Sequence, residues 1–318
     1  MLTRVGLGDP AFRQDTAAAC TVPEDAAKYL VASNPRLLEL QKRYHEIRSD
    51  AVRHSQWTAD YVAADVPLAQ FRNDSAYMWQ RRDLNLPIHY LCTYLYLLNT
   101  PMRDMLSTCA EDDLFGIYAF ACGEEVVTRD RLDSVLQMGV IREFLGLTAA
   151  SKFTLLDIGS GYGRLGHRVA QCFPQSRVLC VDAIAESSFL CEFYLKFRNV
   201  DANAKMVPLD EFESRLKEET IDIATAINSW SECSTATIRW WLARLKEKKV
   251  PRLIVVGDGF AEGGRRLLNT EGIGGIRNDM TKLILESGYR QISILPKFPM
   301  PVMQQYGLSP TCYHLFGL

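Results

Sequence analysis

The sequence predicts an α/β fold, a doubly wound and mostly parallel sheet preceded by a helical region. Three observations lead to this. After Gly146, short apolar runs alternate with stretches long enough for crossover helices, the pattern of a parallel sheet covered on both faces. The first of these runs ends in an acid and passes straight into Gly159-Ser160-Gly161-Tyr162-Gly163. The last two runs are joined by a link that carries Pro296, Pro299, Pro301 and Pro310 and no helical stripe. Such a link suits an antiparallel return, so the final strand is expected to oppose the others.

Taken in order, residues 24–49 place Leu37, Leu40, Tyr44 and Ile47 on one helical face. Residues 86–98 are apolar almost all round, which predicts a buried helix with Pro87 in its first turn. Residues 130–145 start at Asp130, a plausible cap, and carry Leu132, Val135, Leu136, Val140 and Phe144 on one stripe. Strands are expected at 153–158, 177–181, 205–207, 221–227, 253–256, 291–295 and 312–316. The expected division is therefore a helical region over 1–145 and a sheet domain over 146–318.

Composition bounds the function. With 47% apolar and 23% charged residues, the chain is an ordinary globular protein. A formal net charge of −2 and a pI near 6.2 leave no global field for a polyanion, so no nucleic-acid partner is expected. No apolar run reaches the ~18 residues of a membrane span, and the first residues lack a secretory signal pattern. Nine scattered cysteines, none spaced C-x-x-C, suit reduced thiols in the cytoplasm. No compact acidic or Cys/His cluster calls for a metal.

The segment Leu155-Leu156-Asp157-Ile158-Gly159-Ser160-Gly161-Tyr162-Gly163-Arg164 carries the chemistry. Glycines let the backbone turn sharply and approach a ligand, and the following helix offers free N–H groups. Asp182 ends the next strand about 20 residues on, where an acid can accept hydrogen bonds from both ribose hydroxyls. Gly161, Gly163 and Gly166 also satisfy the dinucleotide spacing G-x-G-x-x-G, so a nicotinamide cofactor stays open on spacing alone.

The order Asp-Ile-Gly-Ser-Gly, the Asp182 tip and the antiparallel last strand resemble the class I S-adenosylmethionine-dependent methyltransferases. Narrower blocks resemble a bacterial family of sugar O-methyltransferases. These are Phe71–Tyr77, Val127–Ser134, Asn228-Ser229-Trp230-Ser231-Glu232 and the Trp240-Trp241 helix. The chain has Asn-Ser-Trp-Ser at 228–231 where that family has His-Ser-Phe-Ser. The resemblance implies a Rossmann-like seven-stranded sheet, S-adenosyl-L-methionine as cofactor and a hydroxyl of a sugar or glycosylated small molecule as acceptor. Methylation of nitrogen or of a non-sugar natural product, and a catalytically silent cofactor-binding partner, are the alternatives. A homodimer stays open as the assembly.

Roles follow from the resemblance. Asp157 and the turn Gly159, Ser160, Gly161, Tyr162 and Gly163 are expected to cradle the methionine part, and Asp182 the ribose. Ala183, Leu209, Asp210 and Asn228 complete the cofactor set, with helix capping as the other reading of Asp210. For the acceptor proton, Glu232 after the fourth strand is the first candidate base, then Asp258 after the fifth, and His89 in the buried helix. Tyr77, Trp79 and Trp230 are candidate platforms for a sugar face. Arg265, in the glycine-rich stretch 257–275, is a candidate contact for an anionic acceptor on a loop or lid.

Overall fold

The seven apolar runs read after Gly146 form a seven-stranded sheet. The computed structural model describes residues 21–52, 57–73, 77, 86–257, 261–271 and 276–318. The sheet strands are β1 (Thr154–Ile158), β2 (Arg177–Val181), β3 (Ala204–Met206), β4 (Ile223–Ile227), β5 (Arg252–Val256), β6 (Arg290–Pro296) and β7 (Cys312–Gly317). They lie in the order β6-β7-β5-β4-β1-β2-β3. Strands β1 to β5 pair in parallel, and β7 runs antiparallel to both β5 and β6. The central strands are apolar nearly throughout because both faces are covered; Leu155, Leu156, Val178, Ile223, Leu253 and Val255 are all buried. The switch in strand order falls at β1 and β4, with β1–β2–β3 on one side and β4–β5 on the other. A crevice for a ligand opens there, at the carboxyl ends of the strands.

The helical readings hold with local corrections. The pattern over 24–49 is two helices, Glu24–Tyr29 and Pro35–His45. The second starts where the Asn34 side chain accepts the Arg36 N–H at 2.8 Å and Pro35 occupies the first turn. The helix Leu86–Leu98 forms over the expected residues, but only part of it is buried: Tyr90, Leu91, Tyr94 and Leu97 face inward while Ile88, Leu95 and Leu98 are half-buried. The helix Arg129–Leu145 is capped by Thr128, whose hydroxyl accepts the Arg131 N–H at 3.1 Å, and not by Asp130. It ends at Gly146, which has the left-handed φ of 65° that suits a glycine. The 296–310 link, read as non-helical, contains the short helix Pro301–Tyr306, which starts on Pro301. Two short hairpins were not foreseen, Ala119–Cys122 with Glu125–Thr128 and Leu268–Thr270 with Arg277–Asp279. Strands of three or four residues are too short to display an alternating pattern.

The chain forms two compact units. One contains the described residues up to Ala32 together with 65–147 and 298–309; the other contains 33–64, 148–297 and 310–318. The segment 33–64 thus belongs with the sheet, where a single boundary near 146 was expected. Helix Pro35–His45 packs on helix Ala185–Phe197, and the turn Asp50–Val52 packs on helix Thr235–Glu247. Among the described residues no helix is long and apolar enough to cross a membrane.

Inside the helical unit, the blocks at 71–77 and 127–134 are joined by charge. Arg72 is fully buried and reaches Glu111 at 2.7 Å and Asp130 at 3.4 Å, both carboxylates being almost entirely buried too. The Thr128 hydroxyl adds a 2.6 Å bond to Glu111. Removing one member of such a cluster strands the others without compensation. Arg72→Met is expected to lower stability by about 3–5 kcal/mol, read as a shifted urea midpoint; an unchanged midpoint would show the cluster to be dispensable.

Candidate functional site

The site begins at the tip of β1. Asp157 lies opposite Thr225 of β4 in the parallel register, and its Oδ1 accepts the Thr225 hydroxyl at 2.8 Å. The chain then turns through Gly159 at φ 72°, where a Cβ would collide with the Ser229 side chain. The Gly159 and Ser160 N–H groups both donate to the Val181 carbonyl, at 2.8 and 3.2 Å, which ties the turn to the tip of β2. Asp182 closes the other side. Its Oδ2 accepts the Gly161 N–H and its Oδ1 the Ile184 N–H, each at 2.9 Å. Gly163, at φ 83°, opens helix Arg164–Cys172 with no side-chain cap, so the first-turn N–H groups stay available.

Two carboxylates are therefore buried around one turn, Asp157 at 4% and Asp182 at 8% exposure. Burial pushes the Asp157 carboxyl up to about 6 against the pull of Thr225 and the Arg164 charge. Burial also pushes Asp182 up to about 6; its backbone N–H partners hold it down, while the Asp157 charge adds to the rise. The Ser160 hydroxyl beside them is buried without a hydrogen-bond partner. This donor set fits a ligand that brings a cation to Asp157, hydroxyl donors to Asp182 and a polar atom to Ser160. A cofactor with an ammonium group and a ribose meets all three demands.

The loop after β4 forms the second wall. Asn228 is exposed at φ 63°, a left-handed conformation that asparagine tolerates better than most residues. Its N–H donates to Val256 at 2.8 Å, and the Ser229 hydroxyl donates to the Ile158 carbonyl at 2.7 Å. The Asn269 amide donates to the Cys233 carbonyl at 3.0 Å, and Glu271 accepts the Thr235 N–H at 2.7 Å. On this braced loop the Glu232 carboxylate accepts the Trp57 indole N–H at 2.6 Å. Burial, with the Glu232 and Asp182 charges adding to it, pushes the Cys233 thiol far up, which places that thiol in the field of both acids. Trp57 and Tyr44 are the residues that sequence reasoning missed. A lone Trp and a heptad-face Tyr give no signal of what they meet far along the chain.

The structure corrects some expected contacts and places the others. Trp230 is fully buried and offers no ring face to a sugar. Tyr162 is also buried, its ring edge-on to Tyr194 at 5.3 Å, so only its backbone belongs to the turn. Both Asp210 oxygens accept from Arg43, at 2.8 Å each. Asp210 therefore does not cap its helix, whose first turn has no side-chain cap. Leu209 is buried, and its N–H donates to Tyr44. Ala183 stands half-buried directly beside Asp182. Arg265 is exposed; the glycine-rich stretch around it includes the strand Leu268–Thr270, so it is not all loop. His89 and Tyr77 belong to the helical unit and the cofactor set to the other. The His89 Nδ1 sits 2.7 Å from the Gly307 carbonyl, which assigns the proton to Nδ1 and leaves Nε2 as the basic nitrogen. Asp258 and Trp79 lie outside the described residues.

The sheet order, the antiparallel β7 and the acid-tipped glycine turn agree with one architecture. The fold is that of the class I methyltransferases. No family model matches the chain. Ribosomal RNA small subunit methyltransferase G from Polaromonas naphthalenivorans (strain CJ2) is 27% identical over 144 residues, 43% of this chain and 64% of that protein. The chain thus spans less than two thirds of that relative's length. A SAM-dependent methyltransferase from Aquifex aeolicus aligns over 57% of this chain and 87% of its own at 18% identity and a TM-score of 0.40. The mitomycin 7-O-methyltransferase MmcR aligns over 59% and 56% at 17% identity and a TM-score of 0.40.

The relative named for ribosomal RNA overturns the expectation that nucleic acid is excluded as a partner. Net charge averages over the whole surface, whereas contact with a polyanion needs only a local basic face.

The raised carboxyls have a consequence for stability. Each holds its proton more tightly folded, at about 6, than at the ordinary value of 3.8. The folded state therefore binds extra protons between those values, and stability falls as pH rises through that window. Asp157→Asn removes one such group. Urea unfolding of the ligand-free protein should show the variant gaining about 2–3 kcal/mol on the native chain between pH 4 and pH 7; a pH-independent difference would contradict the raised value.

Proposed function

We propose that the chain is an S-adenosylmethionine-dependent methyltransferase that acts in the cytoplasm on a hydroxyl of a sugar or glycosylated small molecule. One observation carries the cofactor: the two buried carboxylates, Asp157 and Asp182, flank the glycine turn at about their half-protonation point near pH 6. A ligand with one positive charge and a diol relieves both burials at once, and a dinucleotide pyrophosphate would place negative charge against Asp157. The acceptor class is supported by the resemblance of the blocks at 71–77, 127–134 and 228–232.

When bound, S-adenosylmethionine supplies a methyl group already activated by a positive sulfur. The chain's own tasks are then alignment and proton removal. Asp182 and the Gly159–Gly163 backbone hold the adenosine and methionine ends. Glu232 takes the acceptor proton, and the Trp57 indole fixes its carboxylate in one orientation.

A second reading, a nucleic-acid acceptor, is favoured by the relative named for ribosomal RNA. Labelled S-adenosylmethionine offered with a panel of mono- and oligosaccharides and with ribosomal RNA separates the two. Label in a sugar is expected; label in RNA alone would move the acceptor to nucleic acid. On the labelled acceptor, Glu232→Gln should lower kcat at least about 100-fold while leaving cofactor affinity unchanged. A full kcat would remove Glu232 as the base.

A further inference from the structure

The helix Pro35–His45 belongs to the unit that contains the sheet, although it precedes the glycine turn by a long stretch of chain. Its last turn reaches the helices that follow β2 and β3. The Tyr44 side chain is buried at 7% exposure. Its hydroxyl accepts the Leu209 N–H at 2.9 Å, at the start of the helix Leu209–Glu218 that follows β3. The same hydroxyl shares a 2.8 Å hydrogen bond with Ser188, on the helix that follows the Asp182–Ile184 turn. Arg43, next along the chain, holds Asp210 with two nitrogens and reaches Glu211 at 2.7 Å. One helix end thus fastens the first turn of the helix after β3 through its backbone and through its side chains. Farther on, Thr237 donates to the Asp50 carbonyl at 2.7 Å and Trp57 to Glu232, so the segment is tied along one edge of the site.

We propose that Tyr44 is the adenosine-side wall of the cofactor pocket, which makes segment 33–64 part of the cofactor site. The inference rests on the reading of that site as one for S-adenosylmethionine. A ligand held by Asp182 at the tip of β2 lies beyond the carboxyl ends of the strands, and Tyr44 is near enough to Asp182 for that charge to act on its phenol. Tyr44 borders that side of the crevice, since its hydroxyl bridges the helix after β2 and the start of the helix after β3. Its hydroxyl secures the first residue of the helix that follows β3. Burial, aided by the Asp182 and Asp210 charges, pushes the phenol up to about 12, so the hydroxyl stays neutral beside Asp182 at working pH.

Two measurements test this. Calorimetry with Tyr44→Phe, which removes both hydrogen bonds of the hydroxyl, should show binding weakened about five- to tenfold for S-adenosylmethionine and for 5′-methylthioadenosine alike. The second ligand lacks the amino-acid part, so an equal loss assigns Tyr44 to the adenosine end. Unchanged affinity for both ligands, or a loss for S-adenosylmethionine alone, would overturn the inference. Photolabelling of the native chain with 8-azido-S-adenosylmethionine needs no variant. Label displaced by excess S-adenosylmethionine is expected on the tryptic peptide Tyr44–Arg48, and its absence there would overturn the inference. Failure of the native chain to bind S-adenosylmethionine at all would instead sink the proposed cofactor.

Discussion

The burial of two carboxylates around one glycine turn is the constraint on which the rest of the site depends. Asp157 and Asp182 end neighbouring parallel strands, so their charges face one crevice and repel each other. Their partners are a Thr hydroxyl and a few backbone N–H groups, with Arg164 acting on Asp157 only as a nearby charge. That is enough to orient them and too little to satisfy them, which is why both sit near 6. A fold keeps such a cost when a ligand offsets it. The glycines belong to the same constraint, because Gly159 must pass under Ser229 and Gly163 against Cys191, whose Sγ would lie 2.8 Å from an added Cβ.

The second wall answers the first. The β4 loop carrying Glu232 is fixed from below by Val256 and Ile158 and from the side by Asn269 and Glu271. Segment 33–64 then fastens three places along the strand tips, through Tyr44, Asp50 and Trp57. A preorganised carboxylate on a rigid loop is what proton removal in an aligned displacement requires. Upstream chain is thus used to build the site and is not an appendage to it.

The fold was legible because burial on both faces writes itself as uninterrupted apolar runs, and because strand-tip acids such as Asp157 and Asp182 interrupt those runs at fixed places. The antiparallel β7 was legible from the prolines that precede it. What escaped shares one physical cause, contact between residues distant in sequence. Asp210 reads as a cofactor contact or a helix cap because Arg43 is invisible from its neighbours. Trp230 looked like a sugar platform because a loop aromatic gives no sign of whether it turns inward, and it does. Leu209 starts the helix after β3, yet its N–H partner Tyr44 reads only as one apolar tooth of an amphipathic helix. Short elements escaped for another reason: a three-residue strand such as Leu268–Thr270 has too few positions to show a period.

The central claim is that the buried acid pair is made for a ligand with one cation and a ribose. Calorimetric titration of S-adenosylmethionine at pH 6, repeated in buffers of different ionisation enthalpy, tests it most directly. Binding to half-protonated carboxyls should release protons, approaching one per ligand, and the release should vanish by pH 8, with no comparable binding of a nicotinamide dinucleotide. Binding without proton release at pH 6, or preference for the dinucleotide, would contradict the account.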